Sequence, residues 1–599
     1  MRLGQAHMGI SRGGLKSCAE EFLRLLRFTS RPECESNLSA PFRGAMVGQL
    51  LAENSKCLKQ VTTRECDKTL DSFVLFYCGV LWFFSKIGLI IPWSLVRVQH
   101  DPPLPRAGVQ EENVVAGSTS DVIVAGCGMG GMAAAVAALQ GGATVTILER
   151  APQEERGGQT RYTEAYFRMK SEHEVTDDFE SHLAENASGY LDPSLVHATS
   201  EPRANWPAVV KSLSFNDPEL ISTFADAAGP TVQWLKKFGL RFDFLPTQFL
   251  TKSQPRLLPV GGGLALIEAL GAAAEKLGAK FVYETTATNL IQNSDGAVVG
   301  VRAVGKGGRT REFKGRAVVL ACGGFEGNAE MLTRYIGPRS VFLRPVCRGG
   351  YYNKGEGIQM ALDIGAAPCG DFGSYHAEPV DPRSGIAEPS VFIFSYGILV
   401  NQEGRRFTDE APATVDACYE KITRQIFNQT NGIAYVVLDA RHMEVPNYKL
   451  GLRTDQPPIA ADTISGLAAK IGVPADALAE TVAGYNRACR SGEFKPLVLD
   501  GFATKGLAPA KSNWAHSLDR APFHAYPIIS SNVFTFGGLK VDCHARVLNR
   551  DGDAIPGLYA AGEIIGSYYR NYTGATSVLK GAVFGRLAGT DAATIKATQ

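Results

Sequence analysis

The chain has 599 residues, a length that allows up to about four domains and excludes the small disulfide-framework folds. Apolar residues make up 45% and charged residues 20%, which disfavours wholesale disorder, a collagen-like chain and an extended coiled coil. With 61 basic and 60 acidic side chains the net charge is +1, so no nucleic-acid partner is predicted.

Residues 1–117 differ from the rest of the chain, and we predict a leader and linker there, outside the folded protein. The segment shows no sustained helical or strand period, and it contains an apolar run over residues 73–93. That run is long enough to cross a bilayer, although Lys86 inside it makes insertion costly. Two interpretations stay open: a membrane tether, which is the one route to a membrane contact, or sequence upstream of the true start. Without a tether the expected location is cytoplasmic.

A dinucleotide-binding fingerprint opens the folded region. Residues 120–150 have the pattern of a strand, a Gly-rich turn, an Ala-rich helix and a second strand that ends in an acid. Gly126 would make the tight turn, Gly128 would let the backbone approach a pyrophosphate, and Gly131 would allow close helix packing. Glu149 is placed to bind a ribose hydroxyl, and an acid there disfavours NADP. The pattern predicts a Rossmann-type domain that binds FAD or NAD.

Three later segments favour FAD over NAD. Residues 157–160 form a second Gly-rich loop, which flavoproteins use beside the flavin phosphates. Residues 317–324 and 556–563 each read as a buried strand that ends in glycine, and we expect both to join the sheet of the fingerprint. No second G-x-G-x-x-G follows a strand, so no separate nicotinamide domain is predicted.

Together these motifs resemble the fumarate reductase/succinate dehydrogenase flavoprotein superfamily, of the FAD-binding 2 type, over residues 118–599. The resemblance rests on GCGMGG (126–131), VGGGLALIEAL (260–270), ACGGFEGN (321–328), GILVNQEGRRFTDE (397–410), GLYAAGEIIG (557–566) and NYTGATSVLKGAVFGRLAG (571–589). It implies an α/β fold, with a Rossmann-type FAD-binding domain over 118–370 and 534–599 that is interrupted by an α+β clamp domain over 371–533. Within the clamp, residues 463–490 show two short amphipathic helices, opened by Thr463 and Pro474.

The motifs and the resemblance together imply which residues contact FAD. The predicted contacts are Gly126, Gly128, Gly130, Gly131, Glu149, Arg150, Gly157, Gly158, Gln159, Thr160, Gly262, Gly263, Ala321, Gly323, Gly324, Gly562, Glu563, Gly574, Ser577, Val578 and Leu579. By the resemblance, Glu563 would hold the ribityl chain. No His follows the Gly157–Gly158 pair, where respiratory relatives carry a covalent flavin link, so we predict noncovalent FAD. No metal site is predicted, because the cysteines include no C-x-x-C pair.

Departures from the superfamily pattern suggest the reaction. The Arg that protonates substrate in fumarate reductases is absent, and the matching position is about Thr414. The chain resembles tricarballylate dehydrogenase over nearly all of 118–599 and, more distantly, 3-ketosteroid dehydrogenases, whose Y-x-G-A motif with a catalytic Tyr matches residues 572–575. We predict a dehydrogenase that forms a C=C bond next to a carboxylate or carbonyl, on a small, anionic polycarboxylate. The alternative is a ketosteroid-type dehydrogenase or a fumarate-reductase-like ene reductase.

Four residues are the candidates for chemistry. Tyr572 is the predicted base, and Arg348, Arg570 and His376 are the predicted carboxylate anchors. An unidentified electron acceptor must reoxidise the flavin, because the chain carries no haem or iron–sulfur motif. A rival function is a flavin electron-transfer subunit tethered to the membrane, whose leader docks a partner protein.

Overall fold

The computed structural model describes residues 115–596 except 248, 252–254 and 491. The apolar run at 73–93 lies outside the described residues. Within the described part of the chain, no helix is long and apolar enough to cross a bilayer. Among the described residues the first strand is Val115–Thr119, which begins inside the predicted linker.

The described residues form strands and helices in the following order. The strands are β1 (Val115–Thr119), β2 (Val122–Ala125), β3 (Val145–Leu148), β4 (Phe242–Asp243), β5 (Leu258–Pro259), β6 (Lys280–Val282), β7 (Thr285–Gln292), β8 (Val298–Gly305), β9 (Thr310–Lys314), β10 (Ala317–Leu320), β11 (Arg344–Pro345), β12 (Pro368–Cys369), β13 (Tyr375–Val380), β14 (Ile398–Val400), β15 (Ile433–Leu438), β16 (Ile459–Ala461), β17 (Phe523–Thr535), β18 (Gly538–Leu539), β19 (Arg546–Leu548) and β20 (Ala554–Ala560). The α-helices are α1 (Met129–Gln140), α2 (Phe179–Glu185), α3 (Pro193–His197), α4 (Ala208–Ser212), α5 (Pro218–Lys236), α6 (Gly262–Lys276), α7 (Ala329–Tyr335), α8 (Glu356–Asp363), α9 (Val415–Phe427), α10 (Ile464–Ile471), α11 (Ala475–Ala488) and α12 (Ser577–Ala593).

The dinucleotide fold is built on a six-stranded sheet in the order β19-β20-β10-β2-β3-β6. Its neighbours are parallel except β19 and β20, and every residue of β2, β3 and β10 is buried. Such strands read as continuous apolar runs because helices cover both faces of a parallel sheet. The predicted convergence of 122–125, 317–320 and 556–560 on one sheet is confirmed.

Helices α1 and α12 pack against each other through small residues. A Cβ at Gly585 would lie 2.4 Å from the carbonyl oxygen of Gly130, and a Cβ at Gly589 would lie 2.1 Å from that of Ala134. Backbones this close exclude larger side chains at the crossing. The C-terminal helix therefore covers the helix of the dinucleotide fingerprint.

The clamp is built around a second sheet, in which the long strand β17 pairs with β11, β13, β15 and β16, and β14 adds to β15. Helix α9 covers one face of this sheet, and α10 and α11 cover the other, each with its own hydrophobic cluster. The two amphipathic helices predicted within 463–490 are confirmed, and the Thr463 hydroxyl caps the first by accepting from the Gly466 N–H at 3.0 Å. Strand β17 runs through the predicted boundary at 533/534, so the clamp passes into the flavin domain without a linker.

Candidate active site

A cleft lies along the carboxyl ends of β2, β10 and β20, where ligands bind in open α/β sheets. Gly126 turns away from β2 with φ of +109°, and a Cβ there would lie 2.2 Å from the Ala321 carbonyl oxygen. At Gly128 a Cβ would have no neighbour closer than the Gly157 carbonyl oxygen at 3.9 Å. A side chain at Gly128 would therefore stand in the open cleft, which fits a pyrophosphate at the N-terminus of α1.

Two charged residues follow β3 and line the cleft. The Glu149 carboxylate accepts the backbone N–H groups of Cys127 at 2.8 Å and Ala151 at 2.7 Å, and burial raises its pKa above the ordinary value. Arg150 donates to the carbonyl oxygen of Tyr352 at 2.8 Å and pairs with Glu356. Glu149, the predicted ribose-binding acid, thus lies on the cleft wall after β3, where two backbone N–H groups hold its carboxylate.

The second Gly-rich loop forms the opposite wall. Gly158, Gln159 and Thr160 line the cleft, and the Thr160 hydroxyl accepts the Met129 N–H at 3.2 Å. Behind the loop, a Cβ at Gly263 would lie 1.8 Å from the Thr160 carbonyl oxygen. Because Gly263 has no side chain, α6 packs directly against the loop and supports it on the side away from the cleft.

The cleft brings together fourteen of the twenty-one predicted FAD contacts. The seven that do not form its wall are Gly131, Gly157, Gly262, Gly263, Gly324, Gly574 and Leu579. Most of these still shape the site through packing: a Cβ at Gly131, for example, would lie 2.0 Å from the Gly126 carbonyl oxygen.

A buried pair of carboxyl groups lies at the end of β20. Glu563 accepts the Thr535 N–H at 3.0 Å, and Glu326 accepts from the side chains of Gln159 at 2.5 Å and Asn353 at 2.6 Å. Burial and the charge of Glu563 raise the pKa of Glu326 well above its ordinary value. Lys580 also lines the cleft, and burial lowers its pKa to about 7.

Tyr572 lies at the other end of the cleft, in the loop before α12. Its phenol oxygen accepts the backbone N–H groups of Thr576 at 3.0 Å and Ser577 at 3.1 Å, and its O–H donates to Ser577 Oγ at 3.1 Å. Its ring contacts Phe534 and Tyr568, which line the cleft, at centroid distances of 5.0 and 5.3 Å. The first N–H groups of α12 thus converge on one side-chain oxygen beside the cleft.

His376 is buried directly beside Tyr572, with ring centroids 4.4 Å apart. Its Nε2 lies 3.1 Å from the Tyr419 hydroxyl, and its Nδ1 lies 3.4 Å from Glu420 Oε2. Burial alone would raise the pKa of Glu420, but hydrogen bonding to His376 and the charge of Arg424 outweigh burial and lower it. The same Glu420 oxygen accepts the Tyr572 N–H at 3.1 Å, so one carboxylate positions both candidate residues.

The structure does not support Arg348 and Arg570 as carboxylate anchors. The Arg348 side chain is 68% exposed and forms a two-point ion pair with Glu155, with Nε 2.9 Å from Oε2. Arg570 is exposed and stacks over the ring of Tyr190, which is itself 98% exposed. Arg348 and Arg570 were predicted to enter the cleft because each lies in a loop rich in glycine and aromatic residues. In the structure these loops direct both side chains to the surface.

Sequence reasoning missed Arg256. This buried side chain lies over the rings of Phe249 and Tyr166, at 5.3 and 5.8 Å, with Nη2 3.4 Å from Asp416 Oδ2. A Cβ at Gly574 would lie 3.2 Å from Arg256 Nη2, so the guanidinium packs on the loop that carries Tyr572. Its position just before V-G-G-G was the available signal, since that motif was already assigned to the site.

A family model described as an FAD binding domain matches residues 121–579, and the chain belongs to that family. It is an FAD-dependent oxidoreductase acting on CH–CH groups. The chain is 28% identical, over 62% of its length, to the NADH:acrylate oxidoreductase of Vibrio harveyi, of which it spans only 37%. It is 28% identical, over 77% of its length, to the 4-oxocyclohexanecarboxylate 2-dehydrogenase of Sinomonas cyclohexanicum, of which it covers 90%.

Solved structures agree with this membership. The open conformation of a flavocytochrome c3 fumarate reductase superposes with a TM-score of 0.60 at 25% identity, over 80% of this chain and 78% of that one. The 3-ketosteroid-Δ4-(5α)-dehydrogenase of Rhodococcus jostii RHA1 has the same fold, with a TM-score of 0.57 at 24% identity over 80% and 98% of the two chains. The predicted superfamily, fold class and FAD cofactor are confirmed, and the likeness to tricarballylate dehydrogenase stays a prediction.

Proposed function

We propose that the chain removes two hydrogens from a CH–CH bond next to a carbonyl or carboxylate of a small molecule, leaving a C=C bond. Bound FAD supplies the hydride acceptor, its N5 atom. The observation that carries the proposal is the Tyr572 oxygen, on which the backbone N–H groups of Thr576 and Ser577 converge at the start of α12. These donors and the helix dipole stabilise negative charge on that oxygen, so Tyr572 is suited to take a proton from the carbon next to the carbonyl.

Arg256 is the proposed binding group for the carbonyl or carboxylate oxygen, and His376, whose two ring nitrogens face Tyr419 and Glu420, is proposed to position Tyr572. His376 is held by Tyr419 and Glu420, so its ring has a fixed orientation beside Tyr572. Arg256 is a buried cation against the same loop. Binding the carbonyl oxygen draws electron density from the neighbouring C–H bond and makes its proton easier to remove. The names of two relatives, an NADH:acrylate oxidoreductase and a 4-oxocyclohexanecarboxylate 2-dehydrogenase, each refer to a compound with a carbonyl or carboxylate group. They support the proposal that the C=C bond formed here lies next to such a group.

The predicted polycarboxylate substrate relied on Arg348 and Arg570. With those side chains at the surface, a polycarboxylate would depend on Arg256 and Arg424 instead, and both already have carboxylate neighbours, Asp416 and Glu420. The second candidate, a ketosteroid-type dehydrogenase, is favoured by the aromatic side chains around Tyr572. Phe534 and Tyr568 contact the ring of Tyr572 directly. Tyr419 contacts the neighbouring His376 and packs against Phe249 and Phe392.

Anaerobic loss of the flavin's visible absorption tests the proposal. The full-length holoenzyme would be titrated with tricarballylate, succinate and a 3-ketosteroid, in wild type, Tyr572→Phe and Tyr190→Phe. We expect bleaching by one substrate class, at least about 100-fold slower in Tyr572→Phe, since a positioned acid–base group contributes that much, and within about twofold of wild type in the exposed control. Bleaching that Tyr572→Phe leaves unchanged refutes the role of Tyr572, and no bleaching by any acid or ketone refutes the function.

A further inference from the structure

A second group of charged side chains lies beside His376 and takes no part in the proposed chemistry. It contains Glu164, Glu378, Glu388 and Arg453, which we call the acidic pocket. Arg453 pairs with Glu164 and donates to Glu388 Oε2 at 2.8 Å. Glu388 lines the cleft, so the acidic pocket opens onto the same space as the flavin site.

The acidic pocket adjoins the candidate catalytic residues through β13. Glu378 follows His376 by two residues on this strand, whose pairing with β17 is irregular between His376 and Ala377. Tyr419 connects them: its hydroxyl lies 3.1 Å from His376, and the charge of Glu378 acts on it. A substrate that reaches Tyr572 with one end therefore has the acidic pocket within reach of the other.

The charges of the acidic pocket do not balance. Arg453 is the one cation that acts on Glu378 among the described residues, against two neighbouring carboxylates, Glu388 and Glu164. The Glu378 side chain is 4% exposed, and the described residues provide no hydrogen-bond donor to its carboxyl group. Burying a carboxyl group without a partner costs free energy, about 1–3 kcal/mol for an unsatisfied polar group. A ligand that brings a donor would recover this cost.

The chemistry of the acidic pocket selects its ligand. Burial and the charge of Glu388 raise the pKa of Glu378, and a second carboxylate on the substrate would add further unfavourable negative charge there. An N–H group or a protonated nitrogen would instead donate a hydrogen bond to Glu378. A metal ion is not the expected occupant, because no group of three or more His, Cys, Asp or Glu among the described residues is arranged to hold one.

We propose that the acidic pocket binds a nitrogen-bearing group at the far end of the substrate, through N–H donation to Glu378 and Glu388. The substrate class is thereby an acid or ketone with one carbonyl end and one N–H or cationic end, and not a polycarboxylate. This inference rests on the proposed function for the position of the carbonyl end.

Three matched acids test the inference on the full-length holoenzyme. The probes are 3-(imidazol-4-yl)propanoate, 3-phenylpropanoate and succinate, which share a propanoate and differ in imidazole, phenyl or carboxylate at its far carbon. Binding is followed by the change in the flavin's visible spectrum, which needs no turnover. We expect the imidazole acid to bind at least about tenfold more tightly than succinate and than the phenyl acid. Equal or tighter binding of succinate, or no binding of the imidazole acid, overturns the inference.

Two variants and a control locate the effect. Glu378→Gln and Glu388→Gln should each weaken the imidazole acid at least about tenfold while changing the phenyl acid less than about twofold. Glu480→Gln, at a surface position 68% exposed, should change neither. An imidazole preference that survives both substitutions overturns the assignment to the acidic pocket. The proposed function fails separately, if none of the acids or a 3-ketosteroid bleaches the flavin.

Discussion

Glu388 couples the stability of the protein to pH. Its side chain is 7% exposed on the cleft wall, and it faces Glu164, Glu378 and Arg453. Burial, followed by the charge of Glu164, raises its pKa to about 7, against 4.5 in an ordinary environment. Because the folded pKa lies above the unfolded one, the folded protein binds more protons between pH 4.5 and 7, and the free energy of unfolding falls as pH rises through that window.

The size of the effect follows from the two pKa values. Their difference corresponds to about 3 kcal/mol, most of which is lost between pH 5 and pH 8. The amide of Glu388→Gln cannot ionise and carries no such slope. The free energy of unfolding of this variant, relative to wild type, should therefore rise by about 2 to 3 kcal/mol from pH 5 to pH 8.

Urea unfolding at both pH values, followed by circular dichroism at a fixed excess of FAD, measures this difference. The control is Glu480→Gln, whose exposed ion pair with Arg405 should contribute less than about 1 kcal/mol at either pH. A difference between Glu388→Gln and wild type that does not change with pH would refute the reasoning. It would show that the ion pair with Arg453 keeps Glu388 ionised already at pH 5.

Two further predictions concern the flavin loop and the proposed binding residues. Gly263→Ala places a Cβ 1.8 Å from the Thr160 carbonyl oxygen and should weaken FAD binding at least about tenfold in a fluorescence titration. The control is Gly189→Ala, because a Cβ at Gly189 has open space around it. Unchanged FAD affinity in Gly263→Ala would contradict the supporting role of α6. Arg348→Ala should leave the KM of the bleaching substrate within about twofold, whereas Arg256→Ala should raise it at least about tenfold. The opposite ranking would restore the sequence prediction for Arg348.

The sequence carried the features that depend on local pattern. Local sequence patterns predicted three features: the turn at Gly126, the acid after β3 and the helix cap at Thr463. The structure contains each of them. The buried strands at 317–320 and 556–560 were equally visible, because parallel strands covered on both faces are continuous apolar runs.

Side-chain direction was not visible in the sequence. Arg348 lies in a Gly-rich loop like a ligand-binding residue, but its partner Glu155 lies 193 positions earlier and draws it to the surface. The acidic pocket shows the converse case, since Glu164, Glu388 and Arg453 come from three distant segments and become one site only when β13 and its neighbouring loops fold. Side-chain pairs between such distant segments depend on tertiary packing, and no local sequence pattern predicts them.

The contact between α1 and α12 also has a consequence for biosynthesis. Helix α1 ends at Gln140 and its packing partner α12 begins at Ser577, so a ribosome must synthesise every residue between them before the fingerprint helix is covered. Chains whose contacts are this distant in sequence fold slowly and expose apolar surface meanwhile. The strands of the clamp sheet, from β11 to β17, all precede α12, so this sheet can form earlier in translation. Flavin loading is thus expected only after α12 has been synthesised and covers the dinucleotide site.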